Sequence, residues 1–126
     1  MPYLLDSDVL IDISRNMAAA INFVDALSAP WMISQVSAME LVVGARDKRE
    51  VAHLDAFLAS QTVLPLSAPI GEKAYRLLID YAKSHGLHVF DSLVAATALE
   101  HDLTLVTRNR RHFHMIAGLN IEIPAY

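Results

Sequence analysis

The chain has no cysteine, so neither a disulfide framework nor a thiolate metal site is open to it. Any metal it holds must be bound through oxygen or imidazole. It also lacks an apolar run near the roughly 18 residues that a membrane span requires, because Asp, Ser, Arg, His or Lys interrupts every hydrophobic stretch. The basic, apolar and small-residue regions of a cleavable leader are missing from the start. These absences lead us to expect a cytoplasmic protein. Positive charge is scarce as well: ten Lys and Arg against fourteen Asp and Glu give a formal charge of -4. That balance argues against a nucleic-acid binder that works by bulk positive charge. No low-complexity stretch, Pro/Gly-rich linker or internal repeat divides the chain.

What is present is apolar. At 126 residues we expect one domain over 1–126, able to bury roughly two-thirds of the surface its unfolded form exposes. The hydrophobic fraction is 54% and the charged fraction 19%, against about 45–50% and about 25% in ordinary soluble domains. A core buried on both sides, or a dimer face, would account for the excess. Short β-type runs at Tyr3 to Leu5, Trp31 to Ile33, Val63 to Leu66, Thr104 to Val106 and Asn120 to Ile123 alternate with helical patterns. Ala74, Leu77, Leu78, Tyr81 and Ala82 recur at helical spacing in a helix over Ile70 to His85, which Gly86 stops. Further helices are predicted over Val36 to Ala45, Lys48 to Ser60, and from near Asp91 to about His101, the last rich in alanine. This alternation predicts an α/β fold, a mainly parallel sheet of about five strands covered on both faces.

In such a sheet, ligands gather beyond the carboxyl ends of the strands, and three acids fall there. Asp6 follows the first strand in Tyr3-Leu4-Leu5-Asp6-Ser7-Asp8; it or Asp8 would equally serve as cap of the short helix that follows. Glu40 lies in the first turns of the helix after the second strand. Ser37 and Glu40 also have the spacing of a capping box, which the local pattern favours. Asp91 opens the alanine-rich helix, where capping is again the plain alternative. Brought together, the three would repel one another without a cation. Mg2+ or Mn2+, hard ions that take carboxylate oxygen and substrate phosphate, would offset that repulsion and activate water against phosphorus. Arg108-Asn109-Arg110-Arg111-His112-Phe113-His114 places three of the ten Lys and Arg within four positions. Arg108, Arg110, Arg111 and His112 are candidate phosphate contacts there, with a solvated loop as the alternative. His85 with His88, or His112 with His114, hints at zinc, but no further His or Cys motif completes the site.

The order LLDSDVLI, SAMELVVGA, DSLVAATALEHDLTLVTRNRRHF resembles the PIN-domain family, specifically VapC-type toxins of bacterial toxin–antitoxin pairs, over almost the whole chain. The resemblance implies a three-layer α/β/α domain and a Mg2+- or Mn2+-dependent endoribonuclease that inhibits translation when its antitoxin is lost. By motif position, Asp6, Glu40 and Asp91 would form the acidic centre, with Ser7 beside it. It also implies a homodimer and a cognate VapB-like antitoxin. Many PIN domains carry a fourth acid where this sequence offers Thr107 and Asn109, which puts a second metal in doubt. Asn109 could hold a water and Thr107 could orient a carboxylate, although a strand-end turn would use the same residues.

Two rivals remain at this point. Asp6-Ser7-Asp8-Val9 looks like the opening of a haloacid-dehalogenase-type phosphatase motif, but position 10 is Leu and no late acid pair follows. A PIN-like module that kept its partner surface and lost catalysis is the other, with the missing fourth acid in its favour.

Overall fold

A computed structural model of the protein describes residues 2–126. The order is β1 (Tyr3–Leu5), α1 (Ser7–Ser14), α2 (Ala18–Asp25), β2 (Trp31–Ser34), α3 (Gln35–Val43), α4 (Lys48–Ala59), β3 (Val63–Leu64), α5 (Ala68–His85), α6 (Val89–Glu100), β4 (Thr104–Val106), α7 (Arg110–Phe113) and β5 (Ile121–Glu122). The five strands form one sheet in the order β3-β2-β1-β4-β5, and every pairing is parallel. β1 lies at the centre, with Leu4 opposite Met32 on one side and Leu105 on the other. Helices cover both faces, which gives the three layers expected.

The strands sort side chains to two faces with period two. Leu4 and Leu105 enter one core with Ala74 and Leu77 of α5, Val94 to Ala96 of α6 and Phe113 of α7. Leu5 and Val106, one residue on, enter the other with Val9 and Leu10 of α1, Val24 of α2, Leu41 of α3 and Leu54 of α4. A sheet buried on both faces explains the high apolar fraction. Helix α6 is covered nearly all round, with Val94, Ala95, Ala96 and Ala98 fully buried, and its small side chains let it lie close against α5. Gly86 ends α5 in the left-handed region at φ 70°, and Leu87 N–H reaches back to the Tyr81 carbonyl, the six-to-one closure that favours glycine there.

Several boundaries differ from the sequence reading. The third strand stops at Leu64 rather than Leu66, because the Leu66 N–H donates to the Gln35 side-chain carbonyl at 2.8 Å instead of to a neighbouring strand. The fifth is likewise shorter, at Ile121–Glu122. Helix α2 was not foreseen; its N-cap, Met17, offers no side-chain acceptor, so the usual start signal is missing. The four-residue α7 was also missed, since it carries Arg-Arg-His and buries only Phe113. The Ser37–Glu40 capping box does not form. Ser34 caps α3, accepting from the Val36 N–H at 3.3 Å, and Ser37 is buried inside the first turn.

Candidate active site

The carboxyl ends of β1, β2 and β4 meet at one edge of the sheet, and the acidic residues collect there. Asp6 directly follows β1. Its N–H still donates to the Val106 carbonyl at 2.9 Å, while its carboxylate turns to cap α1, taking the Ser7 N–H on Oδ1 at 2.8 Å. The Thr107 hydroxyl donates to Oδ2, also at 2.8 Å. Asp6 is only 3% exposed. Burial, followed by the nearby negative charge of Asp8, pushes its pKa up to about 7 despite both hydrogen bonds, and Asp91 adds to the rise.

Asp8 sits two residues further on, at the second position of α1. Its Oδ1 takes the Val9 N–H at 2.7 Å, and its Oδ2 takes the Arg108 N–H at 2.9 Å and the Asn109 side-chain amide at 3.3 Å. The sequence left Asp8 open between ligand and cap. Here it ties the loop after β4 to α1, and burial raises its pKa. Asn109 N–H in turn donates to the Thr107 hydroxyl at 3.0 Å, so Thr107, Arg108 and Asn109 are anchored to Asp6 and Asp8 as one unit.

Asp91 is the third residue of α6, not its cap; His88 holds that position and makes no side-chain cap bond. The Asp91 carboxylate instead faces His112 on α7, Oδ2 to Nδ1 at 3.2 Å. Burial raises its pKa, and the positive potentials of His112 and His88 pull the other way. Glu40 lies in the second turn of α3. Its pKa is raised first by burial and then by Asp91, which places the two carboxylates within electrostatic reach. Glu40 also borders a cleft of about 400 Å3 whose rim carries Arg15, Arg46 and His53. Four carboxylates from three segments of the chain therefore share one edge.

The remaining sequence candidates divide. Ser7 contributes its backbone N–H to Asp6. Arg110 and Arg111 are exposed on α7. Arg108 does not stand in a simple strip with them: its guanidinium meets Asp12 at 3.0 Å and lies 5.6 Å over the Tyr126 ring. Asp12 and Tyr126 were missed by sequence reasoning. Asp12 is one turn beyond Asp8 on the same helix, a spacing that could have flagged it; for Tyr126 no sequence signal exists.

Whether this edge suits a divalent cation is decided by its donors. They are carboxylate oxygens, with hydroxyl and amide groups around them, in a place where burial disfavours unneutralised charge. Such a set fits a hard cation. As the side chains are placed, however, no three His, Asp or Glu among the described residues converge closely enough to hold one ion, so a site using three carboxylates would need side-chain rotation.

The PIN domain family model matches residues 3–119. Ribonuclease VapC10 of Mycobacterium tuberculosis is 40% identical over 121 residues, covering 92% of this chain and 89% of the relative. A chain of a toxin–antitoxin complex from Klebsiella pneumoniae superposes with a TM-score of 0.79 at 28% identity and covers 97% of both chains. A chain of VapBC2 from Rickettsia felis, solved with a DNA fragment from its promoter, shares the fold with a TM-score of 0.83 at 24% identity over 98% of both chains.

Proposed function

The chain belongs to the PIN-domain family, and from that premise we propose that it is an endoribonuclease, the toxin of a toxin–antitoxin pair, built as a single nuclease domain. The observation that carries the reading is the gathering of Asp6, Asp8, Glu40 and Asp91 at the carboxyl edge of β1 and β4, all with carboxyls raised by burial. Asp6, Glu40 and Asp91 would hold Mg2+ or Mn2+. When bound, the ion supplies positive charge at the scissile phosphate and acidifies water for attack.

The chain's own residues do the rest. Thr107 fixes the Asp6 carboxylate by donating to Oδ2, and the His112 ring holds the Asp91 carboxylate, Nδ1 to Oδ2 at 3.2 Å. Asn109, bonded to Asp8, keeps a polar amide where a fourth acid would stand, which favours one ion over two. Arg108, Arg110 and Arg111 supply local cations for the RNA backbone. The similarity to a ribonuclease and to a chain of a toxin–antitoxin complex supports an RNA substrate and a VapB-like antitoxin as partner; a homodimer would cover part of the apolar surface. No described helix is long and apolar enough to cross a membrane, and the enzyme would act on RNA in the cytoplasm. Family membership sets aside the phosphatase reading.

The test is cleavage of structured RNA by purified protein, freed of any antitoxin, in Mn2+, Mg2+ or EDTA. Metal-dependent cleavage should fall at least about 100-fold in Asp6→Asn and Asp91→Asn. One observation favours a second reading, a PIN-like module without catalysis: among the described residues, no three acidic groups close on a common point. Calorimetry separates the two. Mn2+ binding by wild type and not by Asp6→Asn supports the nuclease, and no binding by either supports the module.

A further inference from the structure

Arg108 is held in a way that neither family membership nor the acidic centre requires. Its guanidinium Nη1 donates to Asp12 Oδ2 at 3.0 Å, and the same oxygen takes the Tyr126 hydroxyl at 2.9 Å. The Tyr126 ring lies beneath the guanidinium at 5.6 Å and packs against Phe23 of α2, ring centroids 6.0 Å apart. Asp12 is well covered, its side chain 17% exposed, while that of Arg108 is 47% exposed. Among the described residues, only one of the guanidinium N–H groups is used, of the five that an arginine carries.

The position matters because of what lies beside it. Arg108 follows Thr107, which holds Asp6, and its backbone N–H is bonded to Asp8. An arginine left free there would be drawn onto the Asp6–Asp8 pair and neutralise it. With Asp12 and the Tyr126 ring as its partners, the guanidinium makes no hydrogen bond to Asp6 or Asp8, although its charge reaches Asp8, and it stays oriented and half open to solvent. Planar N–H pairs of this kind suit phosphate oxygens.

We propose that Tyr126 is a positioning residue: through Asp12 and its ring face it holds Arg108 beside the acidic edge as the arm that grips a phosphate of the RNA backbone. The proposal rests on the nuclease reading and extends it to a residue outside every motif. The phenol O–H is the removable part. Tyr126→Phe keeps the ring under the guanidinium and against Phe23 while deleting the bond to Asp12.

The experiment measures binding of a fluorescein-labelled oligouridylate by anisotropy in EDTA, across a salt series, for wild type, Tyr126→Phe, Arg108→Ala and the double variant. Both single variants should weaken binding about 3- to 10-fold, and the double should be no weaker than Arg108→Ala, because the tyrosine acts through the arginine. Arg108→Ala should also reduce the slope of log affinity against log salt by about 0.7, the loss of one single-strand phosphate contact. In cleavage assays with Mn2+, Tyr126→Phe should raise KM by a similar factor and leave kcat within about twofold. A lower melting temperature in Tyr126→Phe with affinity and KM unmoved would make the contact merely structural and overturn the proposal, as would additive losses in the double variant. Wild type that binds RNA with both variants unchanged removes this inference alone. Wild type that neither binds RNA in EDTA nor cleaves it with Mn2+ removes the nuclease reading with it.

Discussion

Asp6 carries the largest conflict between burial and charge in the acidic edge, and that conflict has a measurable sign. Its carboxyl ionises near its ordinary value of 3.8 when the chain is unfolded and near 7 when it is folded. Between those values the folded state holds the proton that the unfolded state has already released. Stability from this group is therefore complete below about pH 4 and is lost as pH rises through 7, by as much as ~4 kcal/mol. Asp8, Glu40 and Asp91 are shifted in the same direction. The melting temperature of metal-free protein should accordingly drop by several degrees between pH 5 and pH 8, a 1 kcal/mol loss being worth roughly 3–5 °C at this size. Asp6→Asn should flatten that decline and melt higher than wild type at pH 8, and Mn2+ should restore the wild type by neutralising the cluster. A melting temperature that climbs with pH across this window would mean that Asp6 is not the strained group. Asp6 after a strand and Asp91 at a helix start stood out in the sequence by their places, while Glu40, in the second turn of α3, was as well explained there by a capping box. Thr107 was read there as able to orient a carboxylate, and it does hold Asp6 across 101 positions of sequence; that Asp8 would take the Arg108 N–H and the Asn109 amide, no local pattern encodes.

At the scale of elements, α3 gives the sharpest contrast between pattern and packing. Ser37 and Glu40 have capping-box spacing, yet the chain leaves β2 one turn earlier and Ser34 takes the cap, close to Thr97 of α6 at 3.5 Å. The continuation of β2 through Ser34 decided the register, because Ser34 pairs with Leu64. Ser37 is left with a buried hydroxyl that has no hydrogen-bond partner among the described residues. Two substitutions with the same chemistry should then behave differently. Ser34→Ala removes a satisfied cap and should cost about 1–2 kcal/mol. Ser37→Ala removes an orphan and should be neutral within about 0.5 kcal/mol or stabilising. Urea denaturation of both variants decides it, and a loss near 1 kcal/mol at Ser37 would revive the capping box. A reciprocal arrangement does occur at α4, where Asp47 accepts from the Glu50 N–H at 2.8 Å and Glu50 reaches back to the Arg46 N–H at 3.3 Å. Helices α5 and α6 were readable because their signals, periodicity with a stop glycine and an alanine run, are properties of the segment itself. Helix α2 was not, because its stability comes from Ala20 and Val24 lying in the core rather than from a cap.

Across the whole molecule, alternation of strands and helices gave the layers, while the strand order β3-β2-β1-β4-β5 lay beyond the sequence, since it depends on which connections cross which face. That order puts β1 and β4 side by side, and it brings Asp6 and Asp8 to Thr107 and Asn109. It also sets the electrostatics of any encounter with RNA. A chain of formal charge -4 with four carboxylates at this edge offers a polyanion its nearest clustered cations on the loop and short helix that carry Arg108, Arg110 and Arg111. If those three arginines are the backbone contacts, RNA binding without metal should be weak, and log affinity should fall against log salt with a slope of only about -2, near 0.7 per phosphate. A slope several times steeper would require cations elsewhere, and the cleft rimmed by Arg15, Arg46 and His53 would be the next surface to substitute. A slope near zero would mean that the arginines are solvated, leaving recognition to the bases and the shape of the RNA. The intermediate value is the expected one, because carboxylates at the sheet edge with arginines on the neighbouring loop and helix favour a backbone held beside the acids, the scissile phosphate coming over the carboxylates only when a divalent ion is present.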